Sequence, residues 1–110
     1  MTVSFELDGQ QFAALNGGPD FKPNEAISFL VDCEDQAEVD RYWEALSDVG
    51  EKGPCGWLKD RFGVSWQIVP RRLEELLADP DRDKSQRVMA AMLKMGKIEI
   101  AELESAARAG

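Results

Sequence analysis

Apolar and polar residues alternate near the start of the chain. Val3–Leu7 reads Val-Ser-Phe-Glu-Leu, a period of two that is typical of a half-buried strand. Asp8-Gly9 follows and favours a tight hairpin turn, so Gln10–Leu15 is predicted to be the returning strand. Asn16–Asp20 contains two glycines and a proline, which end the strand. This stretch predicts a β-hairpin.

A buried strand and an amphipathic helix are predicted next. Ala26–Val31 is a continuous apolar run with one serine, as expected for a central strand. Asp35 and Glu38 have the spacing of a capping box, with Asp in place of Ser or Thr. Apolar residues then recur at i, i+3, i+4 and i+7, which indicates one helical face. We expect the helix to end near Val49, with Gly50 as its left-handed cap.

Two further strands complete the predicted unit. Gly53–Gly56 is predicted to be a loop and Trp57–Lys59 a short strand. Asp60–Gly63 has the composition of a turn. Val64–Val69 is rich in β-forming residues, and Pro70 should stop this strand. The resulting order of strand, helix, strand and strand is the main architectural prediction.

Helical periodicity replaces strand periodicity after Pro70. A short helix around Leu73–Leu77 should stop at Asp79-Pro80. A second helix is predicted from about Asp83 to Met95, and a third from Ile98 to about Ala107. The sequence contains no clean linker, so the pattern predicts a single α+β domain that ends in a helical tail.

Composition narrows the function classes. The chain has 110 residues, of which 44% are hydrophobic and 31% charged, and its formal net charge is −8. An acidic protein repels phosphate backbones and anionic lipids, so neither nucleic acid nor a membrane is expected as a partner. No apolar run reaches the roughly 18 residues of a membrane span, and the N-terminus does not resemble a signal peptide.

Cysteine and histidine usage adds two expectations. Cys33 and Cys55 are too few and too far apart for a disulfide framework or a CxxC motif, which favours a cytoplasmic protein with reduced thiols. The chain has no histidine. It therefore lacks the commonest general base and the commonest transition-metal ligand.

The segment Gly56–Pro70 is distinctive and resembles the closing hairpin of PhnB-like proteins. These form a branch of the vicinal-oxygen-chelate superfamily, the glyoxalase, bleomycin-resistance and dioxygenase fold, and often carry a 3-demethylubiquinone 3-methyltransferase label. Other similar stretches are Leu7–Gln10, Ala14–Pro19, Asn24–Phe29, Val39–Trp43, Gln86–Met89 and Met92–Met95.

The resemblance implies a fold. The family fold resembles two paired βαβββ modules around a cleft, and this chain starts at what looks like the last hairpin of the first module. We therefore expect one glyoxalase-like domain over 1–110: a hairpin over 1–18, a βαββ module over 26–70 and a helical tail over 71–110. The absent first-module elements imply either a truncated form or a second copy that supplies them.

The resemblance also bears on metal and cofactor chemistry. Metal-using relatives take His and Glu ligands from the first and last strands of each module. Here Gln67 stands about where such relatives have Glu, and the first strand offers only Ala26 and Ser28 on one face. We expect that the metal site is lost and that there is no cofactor. The Gly-Gly pair precedes Pro19 and does not resemble the Gly-rich turn of a nucleotide-cofactor methyltransferase.

Five residues are candidates for a ligand site. Trp57 and Trp66 could form an aromatic cradle in which Gln67 orients a small ligand, although a tryptophan more often packs in the core. Asn16 could bind a ligand together with the backbone amides of Gly17 and Gly18, although Asn-Gly-Gly is more often an ordinary turn. Ser28 lies on the first strand of the module and completes the set.

Three functional hypotheses remain open. The first is a glyoxalase-fold protein that binds a small molecule without a metal. The second is a metal-dependent lyase, isomerase or dioxygenase completed across a dimer. The third is a truncated family member without activity of its own. A homodimer is expected because the hairpin would otherwise leave an unpaired edge or an uncovered face.

Overall fold

The computed structural model describes residues 1–109 and contains two sheets and four helices. The strands are β1 (Thr2–Leu7), β2 (Gln10–Leu15), β3 (Ser28–Cys33), β4 (Glu51–Lys52), β5 (Trp57–Lys59) and β6 (Ser65–Pro70). The helices are α1 (Gln36–Ser47), α2 (Arg71–Leu77), α3 (Arg82–Met92) and α4 (Ile100–Arg108). The predicted α+β class is confirmed.

The predicted hairpin is confirmed. β1 and β2 pair antiparallel in a register that sets Thr2 opposite Leu15. Asp8 and Gly9 both have positive φ, 50° and 81°, as a two-residue turn requires when it is to match the twist of its strands. Val3, Phe5 and Leu7 share one face, which makes the hairpin amphipathic.

The second sheet has the strand order β3-β6-β5-β4. β3 and β6 are parallel, which the crossover through α1 allows, and β5 is antiparallel to both of its neighbours. The predicted order of strand, helix, strand and strand is therefore confirmed, with one addition. β4 is a two-residue strand that sequence periodicity could not detect.

Helix α1 begins as predicted and ends differently. Asp35 accepts from the Glu38 backbone N–H at 2.9 Å, so the N-cap prediction is confirmed. The prediction of a left-handed helix cap at Gly50 is wrong, because α1 ends at Ser47 and the residue with positive φ is Val49, at 62°. Position 50 has no room for a side chain, since a Cβ on Gly50 would overlap the carbonyl oxygen of Lys59.

Two apolar clusters hold the sheet to the helices. Helix α1 covers one sheet face, and the buried residues of that cluster are Cys33, Val39, Trp43, Leu58 and Ile68. The helical tail forms the second cluster around Val69, with Leu73, Leu76, Val88, Met95, Ile98, Leu103 and Ala107. Because Val69 and Ile68 are adjacent in β6, they point to opposite faces, and one strand contributes to both clusters.

The helical tail is joined to the module by hydrogen bonds as well as by packing. The Cys55 N–H donates to the Met95 carbonyl and the Gly56 N–H to the Gly96 carbonyl, both at 2.8 Å. The predicted helices are present, but α3 ends at Met92 rather than Met95 because the chain turns there to make these bonds. None of the helices described is long and apolar enough to cross a membrane.

The hairpin is attached to the rest of the chain through aromatic rings. Phe12 stacks on Phe5 at 5.5 Å and meets Phe29 of β3 edge-on at 5.7 Å. The molecule measures 56 × 26 × 23 Å, with a radius of gyration of 16.3 Å. A compact domain of this length would have about 13 Å. The described residues therefore form an elongated body.

Candidate functional site: the open face of the four-stranded sheet

Toward the Ser65 end of β6, side-chain alternation and strand register place six residues on the sheet face opposite α1. In the first row, Lys59 of β5, Ser65 of β6 and Ser28 of β3 lie side by side. In the next row, Trp57 lies opposite Gln67, and Gln67 is level with Leu30. We call these six residues the open face: Ser28, Leu30, Trp57, Lys59, Ser65 and Gln67.

Polar groups on the open face are linked across strands. The Gln67 side-chain amide donates from Nε2 to the Ser28 hydroxyl at 2.9 Å, which fixes both rotamers. Gln67 and Ser28 are partly buried, and Leu30 is exposed. The face thus combines apolar area with a few oriented hydrogen-bonding groups, as small-molecule sites do.

A cavity of about 450 Å³ opens against the β5 end of this face. Trp57, Lys59 and Ser65 line it from the open face, and its other lining residues are Glu25, Glu51, Lys52, Gly53, Pro54 and Leu58. Lys59 forms an ion pair with Glu25, and both side chains are partly exposed. The hydrogen bond from Lys59 lowers the pKa of Glu25, and the same bond raises the pKa of Lys59, so both stay charged near neutral pH.

Two of the candidate residues lie elsewhere. Trp66 points to the α1 face, where its ring contacts Phe29 at 5.2 Å and its indole N–H donates to Asp60 at 3.0 Å. The core alternative therefore describes Trp66 better than the cradle does. Asn16 donates its backbone N–H to the Met1 carbonyl at 3.0 Å and continues the hairpin ladder, away from the open face. The structure brings together Trp57, Gln67 and Ser28.

Comparison with known proteins assigns the chain to a protein family. The family model of 3-demethylubiquinone-9 3-methyltransferase matches residues 1–69, more than half of the chain. The chain belongs to this family. Among solved structures, the PhnB protein of Bacillus cereus matches with 29% sequence identity and a TM-score of 0.57, over 64% of each chain. No curated protein matches significantly.

These matches support the resemblance seen in the sequence and identify the βαβββ unit as a PhnB-like, glyoxalase-type module. The chain spans 64% of the length of the Bacillus protein. The family model ends at residue 69, at the last strand of the module, so the helical tail lies outside the match.

The residues present do not fit a metal ion of the kind that the superfamily uses. On the open face of this PhnB-like module, the groups nearest to each other are an amide and a hydroxyl, Gln67 and Ser28, which are bonded to each other. Neither is a strong ligand for a divalent transition metal. Within residues 1–109, no three His, Cys, Asp or Glu side chains lie close enough to hold one.

Three further residues line the cavity at this site and were not among the five candidates: Glu25, Lys59 and Ser65. The two-residue periodicity of a strand could have identified Lys59 and Ser65. Lys59 is two residues from Trp57 and Ser65 is two residues from Gln67, so each shares a sheet face with a candidate residue. The position of Glu25 could not be foreseen, since it lies in an irregular segment that folds back to Lys59.

Proposed function

We propose that this PhnB-like domain binds a small organic molecule at the open face and does so without a metal. The observation that carries the proposal is the cavity of about 450 Å³ next to Trp57. It lies on the sheet face opposite α1, and its lining includes no residue of the helical tail, which packs on that face around Val69. An aromatic wall and a few fixed polar groups are what such sites provide. Gln67 and Ser28 extend the polar side of the surface beyond the cavity.

The family name points to methyl transfer onto a quinone, and nothing in the described residues favours that reaction. Nucleotide cofactors are held by a Gly-rich turn between a strand and the helix that follows it. Gly17 and Gly18 instead lead from β2 into an irregular segment that continues to β3. We therefore propose binding rather than cofactor-dependent transfer.

A thermal-shift screen tests the proposed function. The protein is heated with a panel of metabolites and antibiotics, and we expect at least one compound to raise the melting temperature, since a ligand that prefers the native state stabilises it. Trp57→Ala should abolish the shift. Phe62→Ala is the matched control, because Phe62 is 77% exposed and lies outside the cavity. A panel without any stabilising compound would argue against binding.

We also propose that two copies of the chain associate through the hairpin. Val3, Phe5 and Leu7 form an apolar stripe whose members are 52%, 41% and 47% exposed. The described part of the chain also leaves the outer edge of β3 without a partner strand. Apolar faces and free edges of this kind favour pairing with a second chain, and two-fold association is the commonest solution.

Sedimentation equilibrium at micromolar concentration tests the association. We expect a mass of twice 12.3 kDa for the wild-type chain. Phe5→Asp should shift the equilibrium to monomer, because it introduces a charge into the apolar stripe. Glu6→Asp changes the neighbouring residue on the polar face of β1 and should leave the dimer intact. A wild-type monomer at 12.3 kDa would contradict the proposal.

A further inference from the structure

One of the residues that line the cavity next to Trp57 carries a hydroxyl that makes no hydrogen bond. Ser65 is only 1% exposed, and its Oγ has no partner in the part of the chain that the structure describes. Two cavities meet at this residue, the one next to Trp57 and a smaller one of about 310 Å³ on the side of Asn24. A buried hydroxyl without a partner is unfavourable, so an acceptor that reached it would gain free energy.

A lysine stands beside this hydroxyl. Lys59 is the direct cross-strand neighbour of Ser65, and both side chains lie on the open face. The ammonium group is occupied by Glu25, which comes from the irregular segment before β3. Together, Lys59 and Ser65 offer a charged donor and a neutral donor on adjacent strands, which suits the two oxygens of one carboxylate.

The Glu25 carboxylate is replaceable. Its side chain is 58% exposed and that of Lys59 is 38% exposed, and ion pairs this open to water are worth little. Glu25 satisfies Lys59 but leaves the Ser65 hydroxyl without an acceptor. A carboxylate that bonded both groups would therefore replace Glu25 at a net gain of one hydrogen bond.

The charged side chains around the cavity also permit an anion to bind. The chain as a whole carries eight more acidic than basic side chains. The cavity lining is balanced, with two carboxylates, Glu25 and Glu51, and two ammonium groups, Lys52 and Lys59. Trp57 and Pro54 supply apolar surface for the remainder of a ligand.

We propose, on the basis of the binding function above, that the ligand is a small apolar or aromatic carboxylic acid. Its carboxylate takes the place of Glu25 on Lys59 and accepts a hydrogen bond from the Ser65 hydroxyl, while its apolar part lies against Trp57. Glu25 is then an internal competitor that occupies the anion position when no ligand is bound.

Isothermal titration with matched pairs of probes tests the ligand class. The probes are phenylacetate with phenylacetamide, and hexanoate with hexanamide, because each pair differs only in the carboxylate. We expect both carboxylates to bind about tenfold or more tightly than their amides. Lys59→Gln should remove this preference, and Ser65→Ala should weaken carboxylate binding several-fold.

The Glu25→Gln variant gives the sharpest result, because it should improve binding. With the competitor gone, we expect the Kd of phenylacetate to fall by about two- to fivefold, the strength of an exposed ion pair. Glu75→Gln is the matched control: it removes the same charge from an ion pair with Arg72, remote from the cavity, and should leave the Kd unchanged.

The outcomes separate this inference from the proposed function. Carboxylate preference together with tighter binding by Glu25→Gln supports the inference. Equal binding of acids and amides, or unchanged affinity in Glu25→Gln, overturns it and leaves small-molecule binding in place. If none of the four probes binds while the metabolite panel yields a neutral ligand, the inference is again overturned and the proposed function stands.

Discussion

Two glycines with nearly the same positive φ provide a test of how the sheet meets the helical tail. Gly56 and Gly63 have φ of 84° and 86°, so an alanine at either position suffers the same conformational penalty. Their surroundings differ. A Cβ at Gly56 would lie 2.9 Å from the Ile68 carbonyl oxygen and 3.1 Å from Ile98 Cγ1, whereas a Cβ at Gly63 would meet nothing within 4 Å.

The expected effects follow from this difference. The left-handed conformation costs an alanine about 1–2 kcal/mol, and the stiffer unfolded chain returns about 0.4–1 kcal/mol. Gly63→Ala should therefore lower the free energy of unfolding by about 1 kcal/mol. Gly56→Ala adds the overlap with fixed backbone, worth about 1–3 kcal/mol for an overpacked interior. It also forces apart the segment that precedes Trp57 and the loop that carries Ile98.

Urea and thermal unfolding of both variants measure the difference in their free energies of unfolding. We expect Gly56→Ala to be less stable than Gly63→Ala by about 1–3 kcal/mol, or by about 5–20 °C in Tm for a domain of this size. Equal stability of the two variants would refute the close approach of Gly56 to β6 and the tail. Greater loss in Gly63→Ala would refute the open environment of the β5–β6 turn.

Three further predictions concern other parts of the fold. Burial raises the pKa of the Cys33 thiol to about 11, so its contribution to stability is complete below pH 9 and is lost as the pH rises from 9 to 11. Between pH 8 and pH 10.5, chemical denaturation should show that the wild-type protein loses about 2 kcal/mol more stability than Cys33→Ala, and equal losses in the two proteins would contradict the assignment. Phe12→Ala removes two aromatic contacts and should speed amide exchange in β1 and β2 about tenfold without affecting β6, whereas Phe21→Ala, at a residue 94% exposed, should change neither. Asp60 accepts hydrogen bonds from the indole of Trp66 and from two backbone N–H groups, so Asp60→Ala should cost about 2–3 kcal/mol in urea unfolding, and a neutral result would exclude this network.

Local patterns predicted most of the fold because the residues that carried them have local causes. The Asp8-Gly9 turn, the Asp35 N-cap and the period of two in β1 each depend on interactions within a few residues. The errors have non-local causes. Gly50 looked like a helix cap, but the approach of the β5 backbone explains it, and no local pattern contains that information.

The site was predicted only in part for the same reason. Trp57, Gln67 and Ser28 were expected and lie together, but sequence alone did not separate Trp57 from Trp66. The two tryptophans belong to adjacent strands, and which face each one occupies follows from the register of β5 with β6. Glu25 reaches Lys59 through the fold of an irregular segment, which periodicity does not describe. The homodimer and the cytoplasmic location stay predictions.

The indole N–H resonances of the three tryptophans provide the most direct test of ligand binding at the open face. Trp57 lines the cavity, Trp66 points to the opposite face, and Trp43 belongs to α1 and is buried against the sheet with 3% exposure. In a ¹⁵N-labelled sample titrated with the stabilising compounds from the thermal screen, we predict that the Trp57 signal shifts and the Trp43 signal does not. A stabilising compound that leaves Trp57 unmoved would contradict the proposed site.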